Sequence, residues 1–491
     1  MNLAGRLAAT LLLVLATAAA MAQGTRPCRL DGLAHEVLCG SLSRPLDPAR
    51  PDGLRFDLHY VVVPALARGK RPDPVVLLAG GPGQSAIALA PSVMPLFARL
   101  NNRRDIVFVD QRGTGRSAPL ECEDDADPPL AELGDADSEL RRLAACRVKL
   151  ATLPHVREAA NLAFFTTPLA MQDLDAVRQA LGAARWNLVG FSYGTRAALD
   201  YQRQFPQAVR RSVLDGVAPA DMVLPASAAT DAQAAFDALL AGCSAEPACR
   251  QRWPQLRADW ERLVGLLPRP VTLADPRSGQ PQTLTMTHER LLAALRAPLY
   301  APALAAALPA AISAAAQGRF EGLAGLAAVF APRRAQRVAT GMHFSVVCAE
   351  DLPGLSRAGE PPAHDFGAGL VPLYTRACAD WPRGPLPAGF AQLQSAATPV
   401  LLLSGGLDPA TPPRHAVRVA AALGAKARHV VVPNGGHGVL SAGCGPDLLF
   451  RFVDADDEAA ALALDAACLT AIPRPPVFVA PGSTAASGPA R

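Results

Sequence analysis

Short runs of apolar, often β-branched residues recur along the chain, and between them apolar positions return every three or four residues. The runs "FDLHYVVVPA" (56–65), "PVVLLAG" (74–80), "DIVFVDQ" (105–111), "WNLVGF" (186–191), "RSVLDGV" (211–217), "PVLLLSG" (399–405) and "ARHVVVPN" (427–434) read as strands. Several are apolar at almost every position, as strands buried on both faces are. "TTPLAMQDLDAVRQALGA" (166–183) reads as a helix, with Thr167 as N-cap, Pro168 at its first position and Gly182 as its stop. Strands alternating with helices predict a mostly parallel, doubly wound α/β sheet.

From 222 to 397 the alternation stops. That stretch is rich in Ala, Leu and Arg, reads as helix after helix, and is followed by a return of strand runs at Thr398. The expected organisation is therefore a leader (1–22), a first core part (23–221), an inserted helical cap (222–397), a second core part (398–472) and a Pro/Ala-rich tail (473–491). The leader has one basic residue, Arg6, an apolar run from Leu7, and the small-residue end Ala20-Met21-Ala22. That is the layout of a cleavable secretory signal, and the run is short against the ~20 residues of a membrane span. The mature chain is expected to start near Gln23, exported to the periplasm or beyond, with no membrane attachment after cleavage. The alanine-rich stretch 297–318 carries prolines at 298, 302 and 309 and reads as soluble helical segments.

Composition narrows the partners. Of 491 residues 50% are hydrophobic but only 5% aromatic, and 47 basic against 43 acidic residues leave a net charge of +4. No Lys/Arg-rich run of the kind that tracks a phosphate backbone occurs, so nucleic acid is not an expected partner. Ten cysteines fall in adjacent couples, which predicts the disulfides 28–39, 122–146, 243–249, 348–378 and 444–468 in an oxidising compartment. There is no C-x-x-C pair and no histidine at ligand spacing, so no metal is expected, and the serine chemistry that this chain's motifs suggest requires no organic cofactor.

The candidate chemistry centres on Gly190-Phe191-Ser192-Tyr193-Gly194, between a strand-like and a helix-like run. This is the G-x-S-x-G pattern of a nucleophile elbow, in which glycines allow strand and helix backbones to approach closely. A serine hydroxyl needs a base, and the base needs an orienting acid. His437 lies in the glycine loop "PNGGHGVL" after one strand, and Asp408 lies in "SGGLDPATPP" after another. The order Ser192, Asp408, His437 is the order that the elbow arrangement requires. Asp215 and Asp380 are weaker candidates for the acid. The loop "LLAGGPGQSA" (77–86) offers an oxyanion donor at the Gly81 N–H, with Gly80 as the alternative, and the Tyr193 N–H offers the second. Arg112 and Arg116 in "VDQRGTGRS" read as structural braces.

Together, Gly80-Gly81-Pro82-Gly83, Asp110-Gln111-Arg112-Gly113-Thr114-Gly115-Arg116-Ser117, the Ser192 elbow, Leu214-Asp215-Gly216-Val217, Gly406-Leu407-Asp408 and Gly436-His437-Gly438 resemble the prolyl/tripeptidyl aminopeptidase branch of the α/β-hydrolases from about residue 50 to 470. The resemblance implies an α/β-hydrolase fold with a helical cap and an exported serine exopeptidase that acts on peptides with a free N-terminus. Ala79 departs from it, since proline iminopeptidases usually carry histidine before GGPG. A free ammonium calls for a carboxylate at a partly desolvated spot, and Glu350 in "VVCAEDLP" is the candidate. An esterase or acyltransferase on the same triad, and a non-catalytic exported binding protein, are the competing readings.

Overall fold

The computed structural model describes residues 24–122, 132, 134–276, 278–329, 337–360 and 363–478. The expected leader and most of the tail lie outside the described residues. The strands are β1 (Thr25–Cys28), β2 (Val37–Pro45), β3 (Arg55–Val63), β4 (Val75–Leu78), β5 (Ile106–Val109), β6 (Trp186–Phe191), β7 (Val209–Asp215), β8 (Arg269–Ala274), β9 (Pro281–Met286), β10 (Val400–Gly405) and β11 (Ala427–Val432). Nine of them form one sheet in the order β1-β2-β3-β5-β4-β6-β7-β10-β11. From β5 to β11 every neighbouring pair is parallel, and the β1–β2–β3–β5 side is antiparallel.

The central strands are buried at every residue because helices cover both faces. Two hydrophobic clusters result, one around Leu78, Val107, Leu188 and Leu214, the other around Leu77, Phe108, Val189 and Val213. Alternate residues of one strand thus feed opposite faces. β1 and β2 went unread in the sequence: "VLCGSLSRP" breaks its apolar positions with Gly, Ser and Pro. Pairing to β3 and the Cys28–Cys39 bond hold these strands instead.

The helix expected from Thr167 spans Thr167–Ala180, but its N-cap is Thr166, one residue earlier, with no side-chain cap bond. Between β7 and β10 lie the helices Leu224–Ala245, His288–Leu299, Thr340–Glu350 and Val371–Ala377, among others. This insertion is not wholly helical. β8 and β9 form an antiparallel hairpin whose inner residues Val271, Leu273, Leu284 and Met286 join a separate core with Phe236 and Trp260. Its alternation lasts only six residues per strand, and threonine and alanine blur it. Helix Thr340–Glu350 ties the insertion to the sheet, for Met342, Phe344, Val346 and Val347 belong to the main core.

All ten cysteines are paired, as 28–39, 122–146, 243–249, 348–378 and 444–468. Among the described residues no helix is long and apolar enough to cross a membrane.

Candidate active site

The parallel strands end together. Gly190 of β6 pairs with Leu78 of β4 and Leu214 of β7, and Asp215 of β7 pairs with Leu403 of β10. Their C-terminal turns therefore share one edge, where open α/β sheets place ligands. Ser192 follows β6 directly and precedes the helix Tyr193–Gln204. Its φ of 53° and ψ of −122° are strained for a residue with a Cβ. Neighbours enforce that conformation. The Ser192 N–H donates to the Asp215 carbonyl at 2.9 Å. The Thr195 hydroxyl donates to the Ser192 carbonyl at 2.6 Å. A Cβ on Gly194 would meet the Leu78 carbonyl oxygen at 2.0 Å, and one on Gly190 the Gly194 oxygen at 2.5 Å. Both glycines are obligatory for this turn.

Asp408 and His437 come together across the next two strand ends. His437 Nδ1 lies 3.1 and 2.9 Å from the two oxygens of Asp408. Asp408 is 1% exposed and also accepts the N–H groups of Ala410 and Thr411 at 2.8 and 2.9 Å. The Thr411 hydroxyl donates to Asp408 Oδ2 at 2.7 Å and lies 3.1 Å from His437 Nδ1. Sequence reasoning missed Thr411, although its place three residues after Asp408 in a turn was a usable signal. Burial alone would favour the neutral imidazole, but the Asp408 charge and hydrogen bond, helped by Asp215, hold His437 above the ordinary histidine range. Burial opposes the Asp408 charge too, yet His437 and the turn N–H groups hold that carboxyl below its usual range.

Asp215 is placed differently. It accepts the Val439 and Leu440 N–H groups at 2.8 to 3.0 Å, so it anchors the loop that carries His437, and burial pushes it up to about 6. Gly216, at φ +70°, leaves room for the ring: a Cβ there would sit 3.4 Å from His437 Cε1. Asp380 is far more exposed, beside Arg147. Arg112 is buried and grips Asp173 at 2.8 and 3.0 Å, which is a structural brace.

Ser192 and His437 both line a cavity of about 470 Å³. Among the described residues no hydrogen bond joins Ser192 Oγ to the ring. Gly81, Pro82 and Tyr193 line the same cavity. The glycine loop packs onto the elbow, since a Cβ on Gly80 would lie 3.3 Å from Ser192 Cβ. Gly81 takes φ +111°, where a Cβ would meet the Gly83 nitrogen at 2.6 Å. The Tyr193 hydroxyl is buried, 2.7 Å from the Thr167 hydroxyl.

Glu350 sits elsewhere than expected. It is buried behind the cavity wall, where Oε1 accepts the Thr167 N–H at 2.7 Å and Oε2 accepts the Thr167 hydroxyl at 2.9 Å. It thus caps the helix that Thr166 leaves uncapped, a carboxyl group accepting the free donors of a helix start. Burial raises its pKa to about 7. The carboxylate on the cavity wall is the next residue, Asp351. Its two oxygens accept Arg196 NH1 and NH2 at 2.9 and 3.0 Å, and the Leu224 N–H donates to Oδ1 at 2.8 Å.

Two family models match the chain: an alpha/beta hydrolase fold over residues 73–245 and a TAP-like protein over 363–455. Serine protease Hip1 of Mycobacterium tuberculosis is 34% identical over 202 residues, 39% of this chain and 38% of that protein. Tripeptidyl aminopeptidase of Streptomyces coelicolor is 31% identical over 199 residues, 39% of this chain and 37% of that protein. Carboxylesterase B of M. tuberculosis is 30% identical over 228 residues, 43% of this chain and 42% of that protein. The matched part thus spans less than half the length of each of these relatives. With its mostly parallel sheet and both model matches, the chain has the α/β-hydrolase fold, and its residues 363–455 are similar to the TAP-like proteins.

Proposed function

We propose that the chain is a serine peptidase that cleaves peptides near a free N-terminus. The observation that carries this reading is that His437, bound to the buried Asp408, lines the same cavity as the strained Ser192 elbow. Ser192 Oγ attacks the scissile carbonyl while His437 takes its proton. Asp408 fixes the ring with Nδ1 as donor and stabilises the imidazolium that forms. The N–H groups of Gly81 and Tyr193 receive the tetrahedral oxyanion. His437 then protonates the leaving amine, and water releases the acyl group from Ser192.

In this reading residues 222–397 act as a cap over the strand ends and limit entry to peptide ends. The substrate ammonium meets Asp351, whose Oδ2 keeps lone-pair capacity beside its bond to Arg196. The relative named tripeptidyl aminopeptidase supports the choice of peptide and terminus. Five disulfides support an exported setting, as the leader pattern does.

A second reading, an acyl-ester hydrolase on the same residues, is favoured by the relative named carboxylesterase B. A panel of aminoacyl and tripeptidyl anilides with free and blocked N-termini, run beside short-chain esters, separates the two. Free-amine anilides are expected to be cleaved and blocked ones spared. Turnover of esters alone selects the second reading.

A further inference from the structure

Two arginines line the cavity, and they differ in one respect. Arg196 is gripped by Asp351 through both terminal nitrogens. Arg296, on the helix His288–Leu299, has no ion pair among the described residues. Its one hydrogen bond runs from NH2 to the Tyr300 hydroxyl at a long 3.5 Å, and its buried Nε has no partner. Asp351 is the only carboxylate among the described lining residues, and Arg196 already balances it. Arg196 also lies 3.4 Å from the buried Glu350, so both nearby carboxyl groups are committed to Arg196, and Arg296 has no carboxylate of its own among the described residues. A partly desolvated guanidinium without an anion is costly, and its planar fork matches a carboxylate.

The position of that charge matters as much as its sign. The Tyr300 ring packs edge-on against His437, with centroids 5.1 Å apart, and the His437 N–H donates to the Tyr300 carbonyl at 3.0 Å. Arg296, one helical turn before Tyr300, thus belongs to the wall beside the imidazole. The leaving amine takes its proton from that imidazole, so the leaving group occupies this side.

We propose that Arg296 recognises a carboxylate on the leaving group, and so selects peptides whose first leaving residue is anionic. This rests on Ser192 and His437 being the reacting pair. Two sources supply that chemistry: the α-carboxylate of a single C-terminal residue, or the side chain of an acidic first leaving residue. A charge-assisted pair of this kind favours the anionic substrate by about tenfold to hundredfold in kcat/KM.

The test compares leaving groups that differ only in a carboxylate. Acetyl esters of 4-nitrophenol and 3-carboxy-4-nitrophenol need only the acyl-transfer chemistry. Ala-Ala-Pro 4-nitroanilide and its 3-carboxy-4-nitroanilide need peptidase activity as well. Wild type is expected to prefer the carboxylated member of each pair, and added salt is expected to erode that preference. Arg296→Gln is expected to bring the ratio towards one, and Arg296→Lys to keep part of it. A wild-type ratio at or below one overturns the proposal, as does a ratio that Arg296→Gln leaves unchanged. If that variant fails to fold, the wild-type ratio and its salt dependence still decide. A preference among esters with both anilides inert retains Arg296 and removes the peptidase reading. Ala-Ala-Pro-Ala as free acid against its amide, and amidated Ala-Ala-Pro-Glu against Ala-Ala-Pro-Gln, then tell the two sources of carboxylate apart.

Discussion

Ser192 and the buried Asp408, which make the floor of the site, are held largely by bonds within the turns they sit in; Asp351, on the cavity wall, is held by chain segments far away. The Ser192 carbonyl is bound by Thr195, and Asp408 accepts two N–H groups within three residues of itself. Asp351, by contrast, meets Arg196 across 155 positions of sequence. Bonds within each turn fix these two residues, and the Asp215 carbonyl and the packing of Gly194 on Leu78 add support from other strands. A wall built from distant segments is free to change its charge without disturbing that geometry. The floor thus carries the proposed chemistry, and the wall carries the choice of substrate.

If that division holds, the floor variants have the largest effects. Ser192→Ala is expected to lower kcat on any substrate by roughly 10⁶-fold. Activity that survives this change, measured on anilides and esters alike, breaks the comparison outright. Asp408→Asn comes next, with a fall of about 10⁴-fold. It also moves the acid limb of the kcat/KM profile. Because the Asp408 charge raises His437, its loss shifts that limb to lower pH, which a profile from pH 4 to 9 reads directly.

Wall variants are expected to be selective rather than global. Asp351→Asn should raise KM for free-amine peptides by about tenfold while sparing short-chain esters. An equal loss on both would mean that the Arg196–Asp351 pair supports the floor as well, and would blur the division. The smallest kinetic effect belongs to Glu350→Gln, which lies behind the wall. It should cost about 1–3 kcal/mol of stability, since one Thr167 donor loses its acceptor, and leave KM for free amines unchanged. Its pH signature has a definite sign. Burial raises the folded pKa of Glu350 to about 7, so the wild type loses stability as pH rises from the ordinary carboxylate range through about 7. The variant lacks that loss, so thermal melts across this window should converge as pH rises. A rise in KM for free amines would return Glu350 to the substrate site.

Legibility followed the range of the interactions. The central strands were readable because burial on both faces leaves almost unbroken apolar runs. Ser192, Asp408 and His437 stood out because each follows a strand directly. Glu350 and Asp351 show the limit. They are adjacent acids at the end of one helix, and successive residues on a helix point in directions about 100° apart. Which of them faces the cavity depends on where that helix docks. The β8–β9 hairpin escaped notice for a related reason, since its short alternation becomes a strand pattern only against Phe236 and Trp260.

The order of residues by itself determined the sheet class, the glycine-bounded serine turn, the order Ser192, Asp408, His437 after successive strands, and the coupling of neighbouring cysteines. These are properties of local turn geometry, apolar periodicity and short loop closure, which a linear chain displays. Only the tertiary structure decided that Asp215 anchors the His437 loop, that Thr411 joins Asp408 and His437, and that Glu350 caps a helix while Asp351 faces the cavity. It also left Arg296 without an ion pair among the described residues. Each of these rests on which distant segments meet, and charge and burial at a site are sums over all the segments that surround it.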